Sequence, residues 1–304
     1  MPRLESNVDE TNCKKNTREI RKLYKHDITL SVPMMIVCIL HTFISIKASF
    51  FPVWKFLLIA YFIGGTLSQN IFLANHELCH NHVFETPLQN RIYSLILNIP
   101  IGIPYSSFFG KYHLMHHTHE GVYMKDMDLP SNWEIQFIGN NTFRKSVWLL
   151  CQIIAYAIRP MLLFPMPWTA HDYINVLFIC TTNYIFIHNF SYKSYIYLLL
   201  SAFLGSGLHP IAGHFLSEHY VLFENRSQNT YSYYGILNKL TYNVGYHNEH
   251  HDFPKVPGSK LPLVHQIAHD HYNSLDYHTS WCKVIWSYIT NKNVGPMSRK
   301  LRNK

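Results

Sequence analysis

Three short histidine groups carry most of the chemistry available to this sequence. His76-Glu77-Leu78-Cys79-His80 sets two imidazoles at i and i+4. His113-Leu114-Met115-His116-His117 and His247-Asn248-Glu249-His250-His251 each set three, at i, i+3 and i+4. Residues three and four apart share one helix face, so each group can aim its rings at a common point. Imidazole suits iron, zinc and copper. A single hydrolytic metal uses about three protein ligands, whereas these groups together offer eight. The surplus points to two metals and to redox chemistry, in which a metal pair at a membrane face activates dioxygen against an unactivated C–H bond. Neutral ligands leave such a centre strongly positive, and Glu77, Glu218, Glu249 and Asp252 beside the groups are the carboxylates positioned to offset it.

Competing readings explain less. His76 to His80 also spells H-E-x-x-H, the helix motif of zinc proteases, but that reading leaves both HxxHH groups idle. A metal transporter would place its ionisable groups inside the spans near the midplane, and these groups stand at span ends. The chain has 21 histidines. Most of the others, His82, His119, His265, His269 and His278 among them, read as surface, interfacial or packed residues.

The elements that must position the groups are apolar helices. Only 14% of the 304 residues are charged, against roughly 25% in a soluble protein. About 20 apolar residues cross a bilayer. Segments near 28–46, 56–75, 173–192 and 194–217 qualify without an internal charge, the last two as a hairpin around Lys193. Segments 92–110 and 146–170 carry prolines and Arg159, which suits re-entrant or interfacial paths. A crossing at 92–110 would also put His113, His116 and His117 on the wrong side for a shared site. The expected fold is therefore an all-α membrane protein with about four transmembrane helices under a cytosolic helical cap. It comprises a basic arm, 1–27, and a single membrane domain, 28–304.

Lys and Arg number seven in the first 28 residues, five in 76–145 and ten in 218–304. The positive-inside rule then makes both termini and the segment between spans two and three cytosolic. The net charge of +8 is spread without a basic cluster, which favours anionic headgroups over nucleic acid as partner. The six scattered cysteines form no C-x-x-C pair, which excludes a disulfide framework or zinc ribbon.

Longer motifs surround the histidines: Asn98-Ile99-Pro100-Ile101-Gly102-Ile103-Pro104-Tyr105, Gly207-Leu208-His209-Pro210-Ile211-Ala212-Gly213-His214-Phe215, and Tyr242-Asn243-Val244-Gly245-Tyr246 running into the third group and on to Pro254. With these the chain resembles, over roughly 55–290, the sphingolipid 4-desaturase (dihydroceramide desaturase) family of the membrane fatty-acid desaturase superfamily. The resemblance implies an endoplasmic-reticulum enzyme with two non-haem irons that inserts a trans 4,5 double bond into the sphinganine base of dihydroceramide. It implies O2 as co-substrate and electrons from NAD(P)H through cytochrome b5 and its reductase, here separate proteins because no haem motif is present. It also implies a ninth ligand before the third box, for which His219 matches and His214 competes. Pro2 stands where relatives carry a myristoylated glycine, so that modification is not expected. Some relatives hydroxylate carbon 4, and no residue separates the two outcomes.

The shared site requires one sidedness. Cysteine labels placed near positions 10, 120 and 295 should all react from the cytosolic face, and lumenal labelling at 120 would contradict a common site for the three groups.

Overall fold

The charge-free apolar runs become the long helices of a computed structural model that describes residues 10–223 and 228–302. The Met1-Pro2 start, and with it the myristoylation question, lies outside these residues. In chain order the helices begin with α1 (Glu10–Arg21), α2 (Ser31–Ala48), α3 (Val53–Ile59) and α4 (Gly65–Cys79), the last two continuous through a π turn at Ala60–Gly64. Then come α5 (Pro87–Leu97), α6 (Ser106–His119), α7 (Asn132–Ile138), α8 (Thr142–Leu163), α9 (Ala170–Asn189) and α10 (Tyr192–Gly205). The short α11 (His214–Ser217), α12 (His247–Asp252), α13 (Leu261–Ile267) and α14 (His269–Asn273) precede α15 (Trp281–Thr290). One two-residue parallel ladder, Ser232–Tyr233 with Tyr277–His278, is the sheet among the described residues. The chain is an all-α membrane protein.

Among the described residues three helices suit a bilayer crossing by length and composition, Ile28–Ala48, Val53–Cys79 and Thr142–Leu163, or four if the bent pair Pro87–Ile101 and Ser106–His119 is one span. The first two agree with the apolar runs at 28–46 and 56–75. The third falls on the 146–170 segment. The 194–217 run is shorter than its apolarity suggests. Its helix stops at Gly205 after 14 residues, about 21 Å at 1.5 Å per residue, because Ser206, Gly207 and Pro210 do not sustain it and the chain restarts only as turns at Ile211 and His214. The hairpin with α9 is present, its turn closed by Ser191 accepting from the Ser194 amide at 3.1 Å.

Helix α8 has both ends tied to the layer that holds the histidines. Near its start the buried Lys145 ammonium donates to the carbonyls of Tyr288, Asn291 and Val294 at 2.6, 2.8 and 2.9 Å, closing the C-terminus of α15. Near its end Arg159 reaches Glu134 of α7 at 2.7 Å and the Met127 carbonyl at 3.1 Å. Helix α1 docks on the same layer. Ile20 is fully buried with Phe253, Val256, Leu261, Val264 and Tyr272, so the part of the basic arm described here is packed against the segment that follows the third histidine group.

Segment 92–110 does not run straight. Helix α5, opened by a Thr86–Gln89 capping box, and α6 meet at 114°. The bend sits at Gly102, whose φ of +77° suits glycine. Asn98 fixes it: its side-chain carbonyl accepts from the Tyr105 and Ser106 amides at 3.0 and 2.8 Å, and its amide donates to the Ile103 carbonyl at 2.6 Å. Asn175 of α9 braces the same carbonyl at 3.3 Å.

Inside the bundle α4 and α10 touch through glycine. A Cβ built at Gly205 would lie 2.6 Å from the Gly65 carbonyl oxygen and 2.7 Å from its Cα. Backbone cannot yield as a flexible side chain does, so Gly205→Ala must push the helices apart. Overpacking of this kind destabilises by about 1–3 kcal/mol, and thermal unfolding of the detergent-solubilised protein should show Gly205→Ala melting below wild type.

Candidate metal centre

The long helix that crosses at Val53–Cys79 ends on the first group, with His76 on its last turn and His80 as its C-cap. The bend at Gly102 returns α6 to the same place, so that His113 and His117 face the rings at the end of α4, while His116 points to His219 and His251. The third group rides on α12, whose approach is set by hydrogen bonds. Asn238 accepts from the Gly245 amide at 2.9 Å and donates to the Tyr233 carbonyl at 2.7 Å. Tyr242 and Asn243 turn the chain with φ of 50° and 60°, and the Tyr242 hydroxyl donates to Asn70 of α4 at 2.7 Å.

The rings converge in two pockets. One ring nitrogen from each of His76, His80, His113, His117 and His250 lies within 4.8 Å of all the others, and the same holds for His116, His219 and His251. His247 joins the second set, its Nε2 3.0 Å from Nε2 of His219. His214 does not. Its Nδ1 faces Glu218 at 3.0 Å and its Nε2 faces Gln69 at 3.4 Å.

The nitrogens are arranged for cations. Nε2 pairs stand 3.0 Å apart for His80 and His113, 3.0 Å for His113 and His117, and 3.1 Å for His117 and His250. A neutral ring nitrogen offers one proton or one lone pair, so His113 and His117 cannot satisfy two such neighbours by hydrogen bonding. Two nitrogens bound at ~2.1 Å and at a right angle around one metal stand ~3.0 Å apart. Nε2 of His116 and of His251 are buried without a hydrogen-bond partner among the described residues, which a metal would supply. Removal from water pushes the pKa of His219, His250 and His251 well below the ordinary imidazole value and that of His247 to about 3, favouring the neutral, ligating form.

Carboxylates stand behind several rings. Glu77 lies 3.4 Å from Nδ1 of His76 and accepts from the Gly258 amide at 2.8 Å. Glu218 lies 3.9 Å from Nδ1 of His247. Glu249 and Asp252 turn elsewhere. Glu249 accepts from Ser232 and Tyr234 and meets His265 at 2.7 Å, and Asp252 accepts from the Tyr272 hydroxyl at 3.2 Å. Three acidic residues that the spacing did not reveal also stand behind rings. Asp126 meets Nδ1 of His116 at 2.8 Å, Asp128 lies at 3.6 Å, and Glu120 lies 3.8 and 3.9 Å from Nδ1 of His219 and His251. His82, one of the histidines read as surface, interfacial or packed, is packed. It stands between Glu77 at 2.9 Å and the Pro254 carbonyl at 3.1 Å, joining the exits of the first and third groups. No periodicity marks these residues, because a loop brings them in.

Membrane helices that carry two imidazole-lined pockets, each with the donor set to hold a metal ion, define a membrane-embedded, histidine-rich protein. Residues 52–281 match the fatty acid desaturase family. The chain is 49% identical over 248 residues to a sphingolipid delta(4)-desaturase DES1-like protein of Arabidopsis thaliana, covering 82% of this chain and 74% of that protein. It is 41% identical to a sphingolipid delta(4)-desaturase of Mus musculus (93% and 88% covered) and 42% identical to one of Candida albicans (90% and 79%). The chain belongs to the fatty acid desaturase family, on its sphingolipid delta(4)-desaturase branch, and is an oxidoreductase. The protease reading falls with this, and Glu77 agrees, since it faces His82 and Gly258 where a protease base would face the metal's water.

The Glu249 contacts change the expectation for His265. Removing a hydrogen bond to a buried carboxylate costs about 1.5–3 kcal/mol, so His265→Ala should lower the melting temperature measurably, whereas His269→Ala, at an exposed ring, should leave it unchanged.

Proposed function

We propose that this protein converts dihydroceramide to ceramide by inserting the trans 4,5 double bond, with His76, His80, His113, His117 and His250 holding one iron and His116, His219, His247 and His251 the other. The observation that carries the reading is the convergence of these nine rings into two pockets on a chain of the sphingolipid delta(4)-desaturase branch. The balance is one dihydroceramide, one O2, two electrons and two protons giving ceramide and two waters. Bound irons would supply the reductive activation of dioxygen.

The chain's own residues do the rest. Glu77, Asp126 and Glu218 orient the rings and offset cationic charge. An aromatic run from Phe72 through Tyr105 and Phe109 to His113, with ring centroids 4.7, 5.0 and 5.1 Å apart, forms a dry wall beside the first pocket and keeps bulk water from the reacting carbons. The membrane is the endoplasmic reticulum, with both termini and the histidine layer cytosolic. Helix α8 lies along the interface, its ends held by the cap and its Phe143, Ile154 and Leu162 exposed to lipid. Electrons come from NAD(P)H through separate cytochrome b5 and reductase proteins.

The test is ceramide formation in cells lacking their own 4-desaturase, with phytoceramide followed in parallel and iron counted in purified protein. Wild type should form ceramide and hold about two irons per chain. Alanine at any of the nine histidines should lower activity by more than the ~10–100-fold typical of carboxylates that only orient a ligand, and His214→Ala should keep both irons. Zinc in place of iron would overturn the redox reading, and phytoceramide as main product would make the enzyme a hydroxylase.

A further inference from the structure

The two pockets are supported differently, and the difference runs through the C-terminal segment. Behind the first pocket stands Glu77, fixed by His82 and the Gly258 amide. Behind the second stand Glu120, Asp126 and Asp128, all on the loop that follows α6. That loop is held from outside by residues 295–302. The Val221 amide donates to the Ser298 carbonyl at 2.7 Å, and Tyr220 pairs with Arg299 in an antiparallel bridge directly after His219. Further on, the Arg302 amide donates to the Gly121 carbonyl at 2.8 Å. The fit is close, since a Cβ at Gly121, where φ is +73°, would lie 2.9 Å from the Lys300 carbonyl oxygen.

Two arginines in this strap address the carboxylates. Arg299 is buried, with Nη2 3.8 Å from Asp126, Nη1 donating to the Asp128 carbonyl at 3.1 Å, and its guanidinium 5.4 Å from the Tyr220 ring centroid. Arg302 donates to Glu120 at 2.9 Å. Asp126 in turn accepts from the Gly121 and Asp128 amides at 2.8 and 3.0 Å while facing Nδ1 of His116 at 2.8 Å. Buried carboxylates gathered this closely repel one another unless a fixed cation offsets them. The guanidinium does so with a rigid donor fork and without becoming neutral.

We propose that residues 295–302 form a positioning strap for the second pocket, in which Arg299 and Arg302 lock the loop carboxylates that orient His116, His219 and His251. Resting on the two-iron reading above, the strap makes iron retention unequal. Its loss releases the iron held by His116, His219, His247 and His251 and spares the one held by His76, His80, His113, His117 and His250. Arg299 and Arg302 are positioning residues that act through Asp126, Asp128 and Glu120.

The test counts iron in full-length, detergent-purified protein alongside helix content by circular dichroism. Arg299→Ala should fall from about two irons per chain to about one with helix content unchanged, and Arg299→Lys should recover part of the loss. Arg302→Gln, at a partly exposed side chain that leaves the buried core intact, should show weakened retention of one iron during chelator challenge while the second resists. An Arg299→Ala protein that keeps both irons, or loses both together with its helices intact, overturns the strap. Should Arg299→Ala be misfolded, Arg302→Gln decides, and indistinguishable release of its two irons overturns the proposal. Wild type with fewer than two irons overturns the di-iron reading itself, a separate result read before any variant.

Discussion

Imidazoles packed nitrogen to nitrogen are the constraint from which the rest of the architecture follows. Four ring nitrogens of the first pocket form a chain of 3.0–3.1 Å contacts, and their neutral rings cannot all be satisfied by one another. Holding them together requires three separate stretches of backbone to end at one point with little freedom. Each stretch is therefore anchored by groups that have no other evident purpose. Asn98 fixes the bend before α6, Asn238 fixes the approach to α12, and the end of the long α3–α4 helix presents His76 and His80 from the membrane side.

The same constraint explains why polar side chains are buried so freely in a protein with few charges. Lys145 closes the end of α15, Arg159 pairs with Glu134, and Lys111 meets Asp172 at 2.7 Å. Buried charges add little stability by themselves. Here they determine where segments end, which matters more for a site whose donors must coincide within a fraction of an ångström. The apolar contacts that supply the stability lie around them, in the core of α2, α4 and α5 and in the cluster that seats Ile20 of α1 against the third group.

The two pockets share ring chemistry but not surroundings. The first is built from helix ends and backed by a carboxylate of its own motif. The second takes its backing from a loop and from the far C-terminus, joining sequence positions 116–128, 219 and 299–302. Unequal support of this kind would let two metals differ in how firmly they are held, although the rings lining both pockets are the same residue type.

The sequence alone singled out the three histidine groups that converge in the fold, because a helix converts i, i+3 and i+4 spacing into a shared face whatever surrounds it. It also determined the membrane class, since long charge-free runs have few other homes, and the branch, through motifs flanking the boxes. Tertiary structure decided what depends on contacts between distant segments. Glu249 and Asp252 stand within or beside the third histidine group in sequence, yet they are turned toward His265 and Tyr272. Glu120, Asp126, His82 and Arg299, unremarkable by spacing, stand behind or beside the rings. The extent of α10 was likewise invisible to hydropathy, because apolar residues continue past Gly205 while the backbone does not. A helix repeats its geometry from residue to residue and so can be read locally. A carboxylate's partner is chosen by the loop that delivers it, and only the folded chain fixes that.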